Sequence, residues 1–106
     1  MIFKPHTSFS AEEIESFRQE RIEAICHGYD STPEELIHKF QPGTLGCHEA
    51  LHAASLLMDL IDNRLTEHPA VALNAEWHKL AMVAQAAVCD LYRAINEVHM
   101  PRDGAP

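Results

Sequence analysis

From Trp77 to Val98, apolar residues return every three or four positions: Trp77, Ala81, Ala84, Val88, Leu91, Ile95 and Val98. This spacing keeps them on one side of a 3.6-residue helix and predicts a helix over 75–98, with Asn74 as its N-cap. At ~1.5 Å per residue that helix is roughly 36 Å long. A second pattern runs over 47–65. There His48, His52, Ser55, Asp59 and Asp62 fall on one narrow polar stripe, and most of the remaining circumference is apolar. Glu49 and Arg64 interrupt that arc near its ends. So wide an apolar arc requires more than one neighbour, which makes this the central helix.

Two further helices are announced by their starts. Ser10-Ala11-Glu12-Glu13 spells a capping box, and Phe9 and Ile14 have hydrophobic-staple spacing. The helix this opens, 10–27, carries Ile14, Phe17, Ile22 and Ile25 on a stripe broken by Arg18 and Arg21, and Gly28 is its expected C-terminal stop. Thr32-Pro33-Glu34-Glu35 opens a short helix, 33–40, which Pro42-Gly43 closes. Residues 66–74 read as a connection broken by His68-Pro69. Residues 1–9 read as an irregular arm and 101–106 as a flexible tail.

The predicted fold is therefore all-α, a single helical domain over 1–106. The central and last helices form an antiparallel hairpin, with the N-terminal helix packed across it and one short helix added. The expected core is Ile14, Phe17, Leu51, Ala54, Met58, Ile61, Leu65, Trp77, Ala84, Val88, Leu91 and Ile95. One short N-terminal helix cannot cover the apolar surface of two longer ones. The pattern therefore predicts a bundle completed by dimerisation.

Composition narrows the function. Only 8 Lys and Arg stand against 16 Asp and Glu, for a net charge of −8. Phosphate contacts need clustered basic residues, so DNA and RNA are not expected partners. The apolar stretch near Leu56 is broken by Asp59 and Asp62, and no membrane span is expected. Cys26, Cys47 and Cys89 form no close pair and no CxxC. With no apolar leader at the N-terminus, the expectation is reduced thiols in a cytoplasmic protein.

One motif carries candidate chemistry. His48-Glu49-Ala50-Leu51-His52 spells HExxH and resembles the zinc metallopeptidase motif over five residues. The resemblance implies His48 and His52 as zinc ligands and Glu49 as general base. No third ligand follows at an established spacing, since Ser55 and Met58 stand where the extended motif has Gly and His. No strand is predicted to bind a peptide. Glu49 is accordingly expected to be no catalytic base. Glu35-x-x-His38 and Glu49-x-x-His52 match fragments of the di-iron ligand pattern of ferritin-like bundles, but no bridging carboxylates accompany them. Cys26-His27 and Cys47-His48 diverge by about 100° on a helix and form no built dyad.

The function expected from sequence is a small acidic, non-enzymatic interaction or accessory protein. It acts as a homodimer or homo-oligomer, or on a basic protein partner. The alternative is a metal-binding helical bundle using His48, Glu49 and His52, with zinc or iron as the metal; no other cofactor is expected.

Overall fold

The computed structural model describes residues 8–100, and every regular element among them is helical. The chain is all-α over this range. The predicted arm falls mostly, and the predicted tail wholly, outside the described residues. The chain divides into two compact units, Met1–His38 and Lys39–Pro106.

In the first unit, α1 (Ala11–Tyr29) opens on the anticipated capping box. The Ser10 hydroxyl accepts from the Glu13 N–H at 3.0 Å, and the Glu13 carboxylate accepts from the Ser10 N–H at 3.0 Å. Phe9 meets Phe17 edge to face, with ring centroids 5.9 Å apart. The helix also overruns Gly28. Asp30 takes the left-handed position instead, at φ 53° and ψ 49°. Asp tolerates this geometry because its short polar side chain bonds locally. The Ser31 N–H then closes on the Cys26 carbonyl at 2.9 Å. No residue of α1 is buried. Ile14 and Phe17, expected in the core, are 54% and 51% exposed. Their stripe is too interrupted by Arg18 and Arg21 to form a continuous buried face.

Helix α2 (Pro33–Phe40) begins with a reciprocal pair as well. The Glu35 N–H donates to the Thr32 hydroxyl at 3.2 Å, and the Thr32 N–H to the Glu35 carboxylate at 2.8 Å.

In the second unit, α3 (Leu45–Leu60) starts two residues before the predicted position. Thr44 caps it, accepting from the Cys47 N–H at 3.2 Å while donating to the Gln41 carbonyl at 2.7 Å. Gly46 is required here. A Cβ at this position would collide with the Phe40 ring and lie 2.7 Å from the Lys39 carbonyl oxygen. Beyond Leu60 the helix widens into a π-helical segment, Ile61–Thr66, where the Thr66 hydroxyl donates to the Asp62 carbonyl at 2.7 Å. The expected open connection is thus shorter. His68-Pro69, read as a breaker, instead starts the single turn α4 (Pro69–Ala72), because proline at a first helical position gives up no hydrogen bond. The His68 ring nitrogen Nδ1 accepts from the Ala70 N–H at 3.0 Å. Helix α5 (Ala75–His99) begins at Asn74 as predicted, with the side-chain oxygen accepting from the Trp77 N–H at 3.1 Å.

Helices α3 and α5 pack together, and the first turn of α3 meets the last turn of α5. Cys47, Leu51, Ala54, Met58 and Ile61 face inward at spacings of four and three; Leu51, Ala54 and Ile61 are buried, and Cys47 and Met58 half-buried. Leu65, also expected inside, is 46% exposed. It lies in the widened segment, which no longer keeps the α-helical spacing.

On α5 the inward positions are His78, Ala81, Gln85, Val88, Tyr92, Ile95 and His99, of which Ala81 is buried and the rest half-buried. The predicted seam shares Ala81, Val88 and Ile95 with this set. Its other members, Trp77, Ala84, Leu91 and Val98, are exposed. Both sets repeat at alternating three and four, so α5 is turned by about half a residue step from the expected phase. The observed phase lays the stems of Gln85 and Tyr92 along the seam and brings His99 to α3.

Among the described residues, no helix is long and apolar enough to cross a membrane.

Candidate functional site

The HExxH residues do not converge on one point. His48, Glu49 and His52 are all exposed on the first half of α3. Among the described residues no group of three or more His, Cys, Asp or Glu side chains is arranged to hold a metal ion. His48 turns instead to His99 across the helix pair. Its Nδ1 lies 3.3 Å from His99 Nε2, with ring centroids 5.4 Å apart and planes tilted by 41°. The Gly43 N–H donates to His99 Nδ1 at 2.8 Å.

These two bonds fix the tautomers. A nitrogen accepting from an N–H has its lone pair free, so the neutral His99 ring carries its proton on Nε2. That proton faces His48 Nδ1, which accepts it. The result is a directed relay from the Gly43 N–H through His99 to His48. A metal at His99 Nε2 would need the lone pair there, and the ring proton would then sit on Nδ1 against the Gly43 N–H. The relay therefore competes with chelation. The Gly43 backbone reaches His99 from a loop position with φ 92°, a conformation that glycine adopts without strain.

Sequence reasoning missed this pair because His48 and His99 are 51 positions apart and share no motif. The three cysteines are free and half-buried. The adjacent Cys-His pairs form no hydrogen bond with each other among the described residues.

A larger feature lies on the neighbouring flank. On α5, Trp77, Leu80, Ala84, Ala87, Leu91, Ala94 and Val98 repeat at three and four with no polar member, and all are exposed. Trp77 is 55% exposed and Leu91 54%. On α3, Ala50, Ala53, Leu57 and Leu60 repeat in the same way and are also exposed. At about 100° per residue, each set is rotated from its helix's inward stripe by about −100°. With the first turn of α3 against the last turn of α5, equal rotations in the same sense point to the same side of the pair. The sets join into one apolar face. From fractional exposures, it covers on the order of 800 Å², close to one partner's share of a standard protein interface. The largest patch on an ordinary monomer is about 300–600 Å².

Within α1, Arg18 holds Glu15 in a two-pronged pair at 2.9 and 2.8 Å, and Gln19 donates to the same carboxylate at 2.8 Å. The Arg18 bond, reinforced by Gln19, lowers the Glu15 pKa from 4.5 to about 2. Both groups are fully exposed. They belong to a solvated helix surface.

No protein-family model matches this chain, and no curated protein and no solved structure matches it either.

Proposed function

We propose that this chain is a non-enzymatic interaction protein. In this reading α3 and α5 form an antiparallel hairpin, and a homo-oligomer completes the bundle by covering its apolar face. The observation that carries the reading is the joined face of Trp77, Leu80, Ala84, Ala87, Leu91, Ala94 and Val98 with Ala50, Ala53, Leu57 and Leu60. Apolar area of this extent is costly in water at ~25 cal/mol per Å², and its removal drives association. The net charge of −8 keeps the remaining surface hydrated and makes a basic protein the natural additional partner, in the cytoplasm.

Sedimentation across a concentration series tests the reading. A concentration-dependent dimer or higher oligomer is expected. Leu91→Lys should raise its dissociation constant by at least about tenfold, the effect of placing a charge in a desolvated apolar contact. A strict monomer with unchanged helix content at every concentration would remove the homo-oligomer.

Zinc or iron binding through His48, Glu49 and His52 is a separate reading and needs His48 to leave His99. Elemental analysis of untagged protein tests it: stoichiometric metal that is lost in His52→Ala would favour chelation over the histidine relay.

A further inference from the structure

The apolar face has a size pattern that specifies its occupant and orientation. Along α5 the outward positions read Trp77, Leu80, Ala84, Ala87, Leu91, Ala94, Val98. Laid against itself in reverse, this line sets large beside small at most levels. Leu80 falls opposite Ala94, Ala84 opposite Leu91, and Ala87 opposite Ala87, while Trp77 at one end meets Val98 at the other. Laid against itself in parallel, it stacks Leu on Leu and Ala on Ala. That leaves crowded levels alternating with empty ones. Interdigitating surfaces require large against small, and close-packed helices at ~8 Å require small residues at the crossing.

The contact of His48 with His99 sets which levels of the two helices are abreast. On that register the reversal point of the α5 pattern, at 87–88, lies level with Leu60 of α3. A two-fold axis lying in the face and perpendicular to the helices therefore passes near Ala87 and Leu60.

We infer that the face is covered by a second copy of this chain, with α5 antiparallel on α5 and α3 antiparallel on α3 about that axis. This rests on the homo-oligomer reading above and deepens it by naming the contact. The interface is isologous, so each contact occurs twice and the assembly closes as a dimer. A four-helix arrangement results, with its crossing at Ala87. The alternative two-fold, parallel to the helices, places α5 on α3; it sets Ala87 beside Leu60 but Leu91 beside Leu57 and Ala94 beside Ala53, large on large and small on small.

A size-swap experiment on the full chain tests this. Ala84→Leu places Leu against Leu91 of the second copy, and Leu91→Ala leaves Ala against Ala84. Each single change should weaken the dimer at least about tenfold in sedimentation. The double variant Ala84→Leu/Leu91→Ala restores large against small and should return to within about threefold of the parent. Both positions are exposed in the single chain. Helix content by circular dichroism should therefore be unchanged in all three variants, which separates assembly from folding.

Crosslinking adds a second readout. In a background with Cys26, Cys47 and Cys89 replaced by Ala, Ala87→Cys should oxidise to a covalent dimer, because position 87 lies at the axis. Ala86→Cys, about 100° further round the helix, should not. A dimer in which the double variant is as weak as the sum of the single changes, or in which Ala87→Cys fails to crosslink, overturns this arrangement and leaves the homo-oligomer standing. A chain that is monomeric throughout overturns both.

Discussion

Helix α5 carries two apolar stripes side by side, and they differ in kind. The inward stripe holds Ala81, Val88 and Ile95 but fills its alternate positions with His78, Gln85, Tyr92 and His99. The outward stripe contains no polar residue and remains open. A helix would be expected to bury its more apolar side. Here the contact within the chain takes the mixed stripe and leaves the pure one uncovered. Burial in a single chain and hydrophobicity of sequence are therefore separate quantities. Where they diverge, as on α5, the more apolar stripe is left exposed in the single chain.

The sharpest test sets one residue from each surface against the other. Leu51 is only 5% exposed on the inward side of α3, and Leu91 is 54% exposed on the outward side of α5. Leu51→Ala should cost ~2–5 kcal/mol in urea denaturation at any concentration. Leu91→Ala, measured below the association range, should cost less than about 1 kcal/mol, as an exposed substitution does. Equal losses would mean that the stripes do not divide folding from assembly.

Next in size is an expected gain. The side-chain oxygen of Gln85 is buried with no hydrogen-bond partner. Gln85→Leu removes that unsatisfied group and should raise stability by about 1–3 kcal/mol. A loss instead would show that the inward stripe depends on its polar member.

Removing the histidine relay should have a smaller effect. His99→Phe keeps a ring against α3 but deletes the bonds to Gly43 and His48. A loss of about 1 kcal/mol is expected, since each bond contributes ~0.5–1.5 and the Phe ring recovers some contact. Faster amide exchange should be confined to Gly43 and the first turn of α3. Exchange spread evenly over the chain would contradict a local relay.

The smallest effect lies on neither stripe. Glu15 has its pKa lowered to about 2 against an ordinary 4.5. Its pairing therefore stabilises α1 fully above about pH 4.5 and is lost as the pH falls towards 2. Circular dichroism should show a modest loss of helix through that window. Glu15→Gln should remove that component and leave assembly at neutral pH unaltered.

The parts of this fold that could be read from sequence are those written within a few residues. Ser10 with Glu13, Thr32 with Glu35, and Asn74 all cap where their spacing predicts, because a cap joins a side chain to a backbone group three positions on. The end of α1 was harder, since Gly28 offers the usual stop but Asp30 also tolerates a left-handed conformation. The start of α3 at Thr44 lay inside a stretch whose Pro and Gly read as loop. The phase of α5 was not legible locally. Its sequence satisfies two heptad phases, and the choice depends on the opposing surface of α3. The same holds for the candidate site. The HExxH letters marked His48, but its partner His99 becomes visible only after the chain has folded back. The outward stripe was written in the sequence throughout, with Leu80, Ala87 and Ala94 interleaving the predicted seam.

The π-helical segment Ile61–Thr66 bears on how this chain tolerates changes of length. A wide turn holds one residue more than the α-helix would need over the same rise. Removing Asn63, exposed within that segment, would let the backbone close into ordinary α-helix. Everything before Leu60 would keep its phase, and the strain of the deletion would pass to the short turn α4. The segment thus acts as a slack point between the two long helices. A one-residue deletion there should be far milder than the same deletion inside α3 or α5, where every following side chain would be turned by about 100°.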